Sequence, residues 1–130
     1  MKIGELYVIY KILKQLVLPW TAFDAYKLGI IDDQGKHLRS PETKEEKEAY
    51  NAMNRFTFNL KRLMGLVTGK KNINAQRVMT LFLLREGYNP EDADNTSKII
   101  LKETKLLNLN ESVTELDDEY YLQLIDLAVF

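Results

Sequence analysis

The amino-acid sequence predicts an all-α fold, a compact bundle of about five helices that forms one domain over residues 1–130. Apolar residues recur at steps of three and four along the main segments, which is the period of a helix with one buried face. Only residues 30–38 have the composition of a short β-hairpin. A chain of 130 residues can also bury roughly two-thirds of the surface that its unfolded form exposes.

The first predicted helix covers residues 3–18 and ends before Pro19. Its apolar stripe consists of Leu6, Ile9, Leu13, Leu16 and Val17. Further apolar residues leave only a narrow polar strip, and a helix that is apolar around most of its circumference must be buried. We expect it to be buried in the core of its own domain. Alternatively, this helix is an element that docks onto a partner.

The next segment predicts a short helix and a tight turn. Thr21 and Asp24 form a possible capping box for a two-turn helix that ends at Leu28. In the predicted hairpin, Gly35 is expected to adopt a positive φ. His37 is the only histidine, and without a cysteine or a second histidine nearby it is expected to be a surface residue.

The longest predicted helix runs from Pro41 to Val67. Pro41 suits the first helical position, and Thr43 with Glu46 forms a second capping box. The apolar stripe of this helix is Ala49, Met53, Phe56, Leu60, Leu63, Met64 and Val67. We expect this stripe to be the spine on which the first, third and final helices pack, and Gly65 to weaken or end the helix.

Three more helices are predicted towards the C-terminus. The third covers residues 75–86, with Asn72 or Asn74 as its cap and Gly87 at its end. A helix or a single turn is expected to start at Asn89-Pro90, and a fourth helix is predicted over residues 96–107. The final helix is predicted over residues 115–129, and its apolar end is expected to be docked.

The residue types argue against an enzyme. With no cysteine and one histidine, neither a Cys–His nor a Ser–His–Asp arrangement nor a thiolate zinc site can be built. The stretch from Gly65 to Lys71 lacks the spacing and the hydroxyl of a phosphate-binding loop. The window Asp92–Glu103 has Ser97 where a calcium loop needs glycine. No cofactor, metal or small-molecule substrate is therefore expected, and no membrane span, because Lys11 and Lys14 interrupt the apolar N-terminus.

The charges are unevenly distributed along the chain. Residues 36–85 carry a surplus of seven positive charges, and residues 86–130 a surplus of eight negative charges. The two parts are expected to attract each other, within the fold or between copies. The candidate contact for a partner or a polyanion is the basic group Lys61, Arg62, Lys70, Lys71 and Arg77, with Arg55 and Arg85 further along. Nucleic acid is not favoured, because no recognition motif accompanies these residues.

The segment from Asp24 to Gly65 resembles a module of small proteins of tailed bacteriophages, including marine phages. The resemblance lies in the stretch DAYKLGIID, a following Gly-Lys pair, the SPET step with EEK, and the helix end FNLKRL. It implies a non-enzymatic virion or head-assembly protein, located in the virion or in the host cytoplasm during assembly.

The partners implied are other phage structural proteins or copies of the chain itself. Charge reversal at Lys61 and Arg62 is then expected to weaken partner binding and to leave the fold intact. Two alternatives remain: a small intracellular phage regulator that binds a host or phage replication protein, and a head protein that contacts DNA through the basic turn 61–77.

Overall fold

A computed structural model of the chain describes residues 3–68, 74–104 and 118–128. In these ranges the chain forms one 3-10 helix, Trp20–Ala22, and seven α-helices. The α-helices are α1 (Ile3–Leu16), α2 (Asp24–Lys27), α3 (Lys44–Ala49), α4 (Ala52–Thr68), α5 (Ala75–Arg85), α6 (Pro90–Glu103) and α7 (Asp118–Ala128). The all-α prediction is confirmed, because the described residues contain no strand. The expected hairpin is reduced to one antiparallel bridge between Ile31 and His37.

The five longer helices form a closed cycle of neighbours. α1 packs against α4 and α6, α4 also packs against α7, and α5 packs against both α6 and α7. They enclose one hydrophobic core, whose fully buried members include Ile12, Leu60, Leu63, Phe82, Leu83, Ile100, Leu101 and Ile125. The long predicted helix therefore packs against the first and final helices, as expected. Its contact with α5, the third predicted helix, includes the rings of Phe56 and Phe82, whose centroids lie 5.5 Å apart.

A second, smaller core lies under the segment between α1 and α4. It contains Phe23, Ala25, Ile30, Ile31 and Phe58. The rings of Phe23 and Phe58 lie 4.9 Å apart, so α4 contributes to both cores. The turn beside this core is formed as predicted: Gly35 has a φ of 81°.

The predicted helix from Pro41 to Val67 is wrong in two respects, its start and its continuity. Thr43 caps α3 and Glu46 completes the capping box, so the helix begins at Lys44 and Pro41 precedes it. The chain then leaves helical geometry at Tyr50. Gly65 does not end the second piece, because α4 continues to Thr68.

Two asparagines account for this break. Asn51 Oδ1 accepts a hydrogen bond from the Asn54 backbone N–H at 2.8 Å, in the manner of a helix N-cap. Asn54 Nδ2 donates to the carbonyl oxygens of Glu48 and Ala49, both at 3.2 Å. The start of α4 thus satisfies carbonyl groups at the end of α3, and both ends at the break have hydrogen-bond partners.

Other boundaries also differ from the prediction. α1 ends at Leu16, and the capping box at Thr21 is absent because neither the 3-10 helix nor α2 has a side-chain cap. α6 begins at Pro90 with Asn89 as its cap, so the helical start expected at Asn89-Pro90 and the predicted fourth helix form one continuous helix. Residues 92–103 are consequently helical and cannot fold as a calcium-binding loop.

The remaining helices follow the prediction. Asn74 caps α5 by accepting from the Arg77 backbone N–H, and Gly87 follows with a φ of 97°. α7 lies within the predicted final helix, while the expected docking of Val129 and Phe130 lies outside the described residues. Within the described ranges, no helix is long and apolar enough to cross a membrane.

Candidate functional site

Lys61, the first residue of the predicted basic group, contacts the end of α1. Its Nζ donates a hydrogen bond to the carbonyl oxygen of Leu16 at 3.0 Å and lies 5.3 Å from the centroid of the Trp20 ring. Burial lowers the pKa of Lys61 from its ordinary value. A cation that binds the last carbonyl of a helix also interacts favourably with the helix dipole. Lys61 therefore has a clear structural role.

Arg62, the next residue, lies near Asp32 and Tyr50, in the segment between α1 and α4. Its guanidinium is partly buried, and desolvation lowers its pKa while the nearby charges of Asp32 and Tyr50 oppose that shift. Arg55 is exposed on the same helix. Lys70 and Lys71 lie outside the described residues.

Arg77 and Arg85 connect α5 to α7. The Arg77 guanidinium donates to Asp118 through Nε at 2.9 Å and through Nη2 at 2.6 Å, and Arg85 forms an ion pair with Asp126. The pair lowers the pKa of Asp118 and raises that of Arg77. The positive and negative parts of the chain therefore attract each other within the fold, as the sequence predicted. Each pair is about half exposed, so screening by solvent keeps its contribution to stability small.

The basic group is thus spread over several helices, and the described members other than Arg55 have contacts within the chain. Lys61 and Arg62 are brought together on α4, but Arg77 faces α7 instead. A polyanion needs cations that converge on one surface. The described basic residues do not form such a surface.

Three of the open cavities among the described residues have volumes of about 270 to 310 Å³. One, of about 290 Å³, is bordered by the exposed carboxylates of Asp24, Glu45 and Glu48. The others, of about 310 and 270 Å³, lie beside α5 and around Lys61. Within residues 3–68, 74–104 and 118–128, no three His, Asp or Glu side chains are grouped to hold a metal ion.

His37 lines none of these three cavities. It is partly buried, and its ring is stacked on Tyr50 with centroids 5.0 Å apart. Its place in the small hairpin-like turn explains why it is less exposed than the sequence suggested.

The most unusual surface of the domain is the outer side of α1. Leu6 is 48%, Tyr10 59% and Val17 77% exposed. The opposite side of the helix, with Ile9, Ile12 and Leu16, is buried in the main core. The expectation that α1 is buried in the core of its own domain holds for one side only, because its neighbours α4 and α6 cover that side. The alternative that α1 docks onto a partner stays a prediction.

The exposed side of α1 carries regularly spaced apolar residues beside two lysines. Leu6, Tyr10, partly buried Leu13 and Val17 follow one another at steps of four, three and four, which places them along one edge of a helix. Lys11 lies over the Tyr7 ring at 5.6 Å, and Lys14 over the Tyr10 ring at 5.9 Å. We call the set Leu6, Tyr7, Tyr10, Lys11, Lys14 and Val17 the α1 face.

The sequence contained a signal for the α1 face. The first helix carries two apolar stripes, one through Ile9, Ile12 and Leu16 and one through Leu6, Leu13 and Val17. The predicted stripe mixed residues of both. Tyrosines and lysines lie beside the second stripe. Such side chains have an apolar body and a polar tip and are typical of surfaces that are exposed to water in the free protein.

A second group of exposed apolar side chains lies on α7. Leu127 is 69% exposed, and Tyr120 and Leu122 are also exposed. Of the ten large apolar side chains exposed within the described residues, eight lie on α1, directly after it, or on α7. Within the described part of the chain, exposed apolar side chains are therefore concentrated on two helices.

Fold and surface together describe a small helical domain whose exposed apolar side chains are concentrated on α1 and α7. Comparison of the chain with protein-family models, with curated proteins and with solved structures gives no match. The resemblance of residues 24–65 to phage proteins therefore remains a prediction from the sequence.

Proposed function

We propose that this chain is a non-enzymatic minor structural or assembly protein of a tailed bacteriophage and that it acts by protein–protein docking through the α1 face. The observation that carries the docking proposal is the exposure of Leu6 and Tyr10 on the outer side of α1 and of Val17 directly after its last residue. The opposite side of the same helix is already used by the core. A single helix therefore offers one face to its own domain and a second face to a partner.

The composition of the α1 face suits a protein interface. Tyrosine is enriched in interfaces because its ring supplies a large apolar area while its hydroxyl tolerates water. Lys11 and Lys14 cover Tyr7 and Tyr10 without burying them. Such a face is soluble when free and can still be desolvated by a partner that supplies acidic and apolar groups.

The phage context comes from the segment Asp24–Gly65, and its residues act in folding. Ala25 and Ile30 are fully buried, while Gly29 and Gly35 have positive φ angles that favour glycine. Residues of the resembling segment thus form the small second core. The α1 face lies outside this segment.

The proposal is tested by measuring how much of the chain is present in purified proheads and virions. The double variant Tyr10→Glu, Val17→Glu changes two exposed side chains and should leave the core intact. Leu38→Glu is a matched control, because Leu38 is an exposed apolar residue that lies far along the chain from α1. Wild type and control should be found in the particles, and the double variant should be lost from them.

Two outcomes would count against parts of this proposal. If the wild-type chain were absent from both proheads and virions, the structural role would be wrong. If the double variant were incorporated like the wild type, docking would use another surface. Capture of a replication enzyme through the α1 face, without capsid or portal proteins, would support the alternative role of an intracellular regulator.

A further inference from the structure

We infer that the α1 face docks onto α7 of a second copy of this chain, so that the protein assembles head to tail. This inference rests on the proposed docking function of the α1 face and names its partner. Exposed apolar side chains are concentrated on α1 and α7. Contact between the two helices in neighbouring copies would cover both groups at once.

The outer side of α7 has the right shape for a helix partner. Tyr120 and Leu127 are separated by two turns, and exposed Gln123 lies between them. Glu119 precedes this row and is also exposed. We call Glu119, Tyr120, Gln123 and Leu127 the α7 face. The buried side chains Tyr121, Leu124 and Ile125 lie on the other side of the helix, so the α7 face is not needed for the core.

The distribution of charge favours α7 over a second α1 helix as the partner of the α1 face. The described side chains of the α1 face include two lysines and no acid, whereas α7 carries three acids and no base. Asp118 and Asp126 already pair with arginines of α5, which leaves Glu119 as the acid directed to a partner. Two α1 helices would instead bring their lysines together, and like charges at an interface oppose association.

The two faces belong to different helices, which determines the kind of assembly. Each copy carries one α1 face and one α7 face, so the contact is heterologous and leaves one face of each type unused in a pair. Repetition of such a contact closes into a ring or continues as a filament. This behaviour suits a protein that adds to a symmetric particle.

Complementation between two purified full-length variants tests the inference. The first, Tyr10→Glu with Val17→Glu, has a damaged α1 face. The second, Glu119→Lys with Leu127→Lys, has a damaged α7 face. Sedimentation velocity over a concentration series gives the mass of each protein alone and of the equimolar mixture. Circular dichroism and urea unfolding establish that both variants are folded, and Leu38→Glu is the surface control.

The wild type and the control should show masses above one chain that rise with concentration. Each variant alone should associate about 100-fold more weakly, because two central contacts of the interface are lost. The mixture should form a complex of one chain of each variant, since the intact α1 face of one meets the intact α7 face of the other.

Three results would overturn the inference. A wild-type chain that is monomeric at every concentration would show that the α1 face does not bind a second copy of the chain. Dimerisation of the α7-face variant alone would show that α1 pairs with α1. A mixture of two monomers would exclude the α1–α7 contact. Loss of the α1-face variant from phage particles in any of these cases would leave the proposed function standing.

Discussion

Replacement of Lys61 by methionine distinguishes a structural lysine from a binding lysine. Lys61→Met keeps most of the apolar side chain and removes the ammonium that binds the Leu16 carbonyl and lies over Trp20. A hydrogen bond from a charged donor contributes about 1.5–3 kcal/mol, the helix terminus about 0.3–1 kcal/mol, and the cation–π contact about 0.5–1 kcal/mol.

The net effect should be smaller than the sum of these contributions. Burial lowers the pKa of Lys61, so the protein has to desolvate the ammonium, and water still reaches part of the side chain. We expect Lys61→Met to reduce the free energy of unfolding by about 1–2 kcal/mol. With a urea m-value of about 2 kcal/mol/M, the unfolding midpoint falls by roughly 0.5–1 M.

The assay is equilibrium urea unfolding followed by circular dichroism at neutral pH. Arg55→Met is the matched control, because Arg55 is an exposed cation on the same helix and its loss should change stability by about 0.5 kcal/mol or less. An unchanged midpoint for Lys61→Met, together with loss of the chain from phage particles, would refute the structural role. Lys61 would then belong to the partner contact that the sequence predicted.

Two further predictions concern the segment between α1 and α4. A Cβ added at Gly35 would overlap the Trp20 ring, so Gly35→Ala should reduce the free energy of unfolding by at least about 3 kcal/mol. Gly29 has a similar φ but open space around it, so Gly29→Ala should reduce it by only about 1–2 kcal/mol. Equal urea midpoints for the two variants would contradict the steric reasoning. Glu46 has a pKa of about 2, mainly because Arg39 donates hydrogen bonds to it, against an ordinary value of 4.5. Its stabilising effect is therefore present above pH 4.5 and is lost as the pH falls towards 2. Urea midpoints of Glu46→Gln should change less with pH in that window than those of the wild type, and parallel profiles would exclude this role for Glu46.

Local signals in the sequence predicted the helix starts that depend on neighbouring residues. The capping box of Thr43 and Glu46 forms as expected, because its two hydrogen bonds need only three residues of separation. The break after α3 could not be predicted in this way. Apolar spacing continues through it, and Asn54 is held by a hydrogen bond from Gln15 of α1 at 3.2 Å, a contact between residues 39 positions apart.

The candidate site was harder to predict for a related reason. The basic residues of α4 and α5 look like a surface for a partner until their contacts are known, and a sequence does not show that the Leu16 carbonyl or the Asp118 carboxylate lies within reach. α1 carries two apolar stripes, and the sequence does not state which one its neighbours cover. Packing against α4 and α6 decides that Ile12 is buried and Tyr10 is exposed.

The docking role of the α1 face is tested most directly by counting copies of the chain in purified proheads and virions. Quantitative mass spectrometry should find the wild type and Leu38→Glu at equal levels, and the variant Tyr10→Glu, Val17→Glu at a level reduced by at least about tenfold, which corresponds to about 1.4 kcal/mol of lost binding. Equal incorporation of the double variant, with its fold intact, would contradict the assignment of the α1 face as the docking surface.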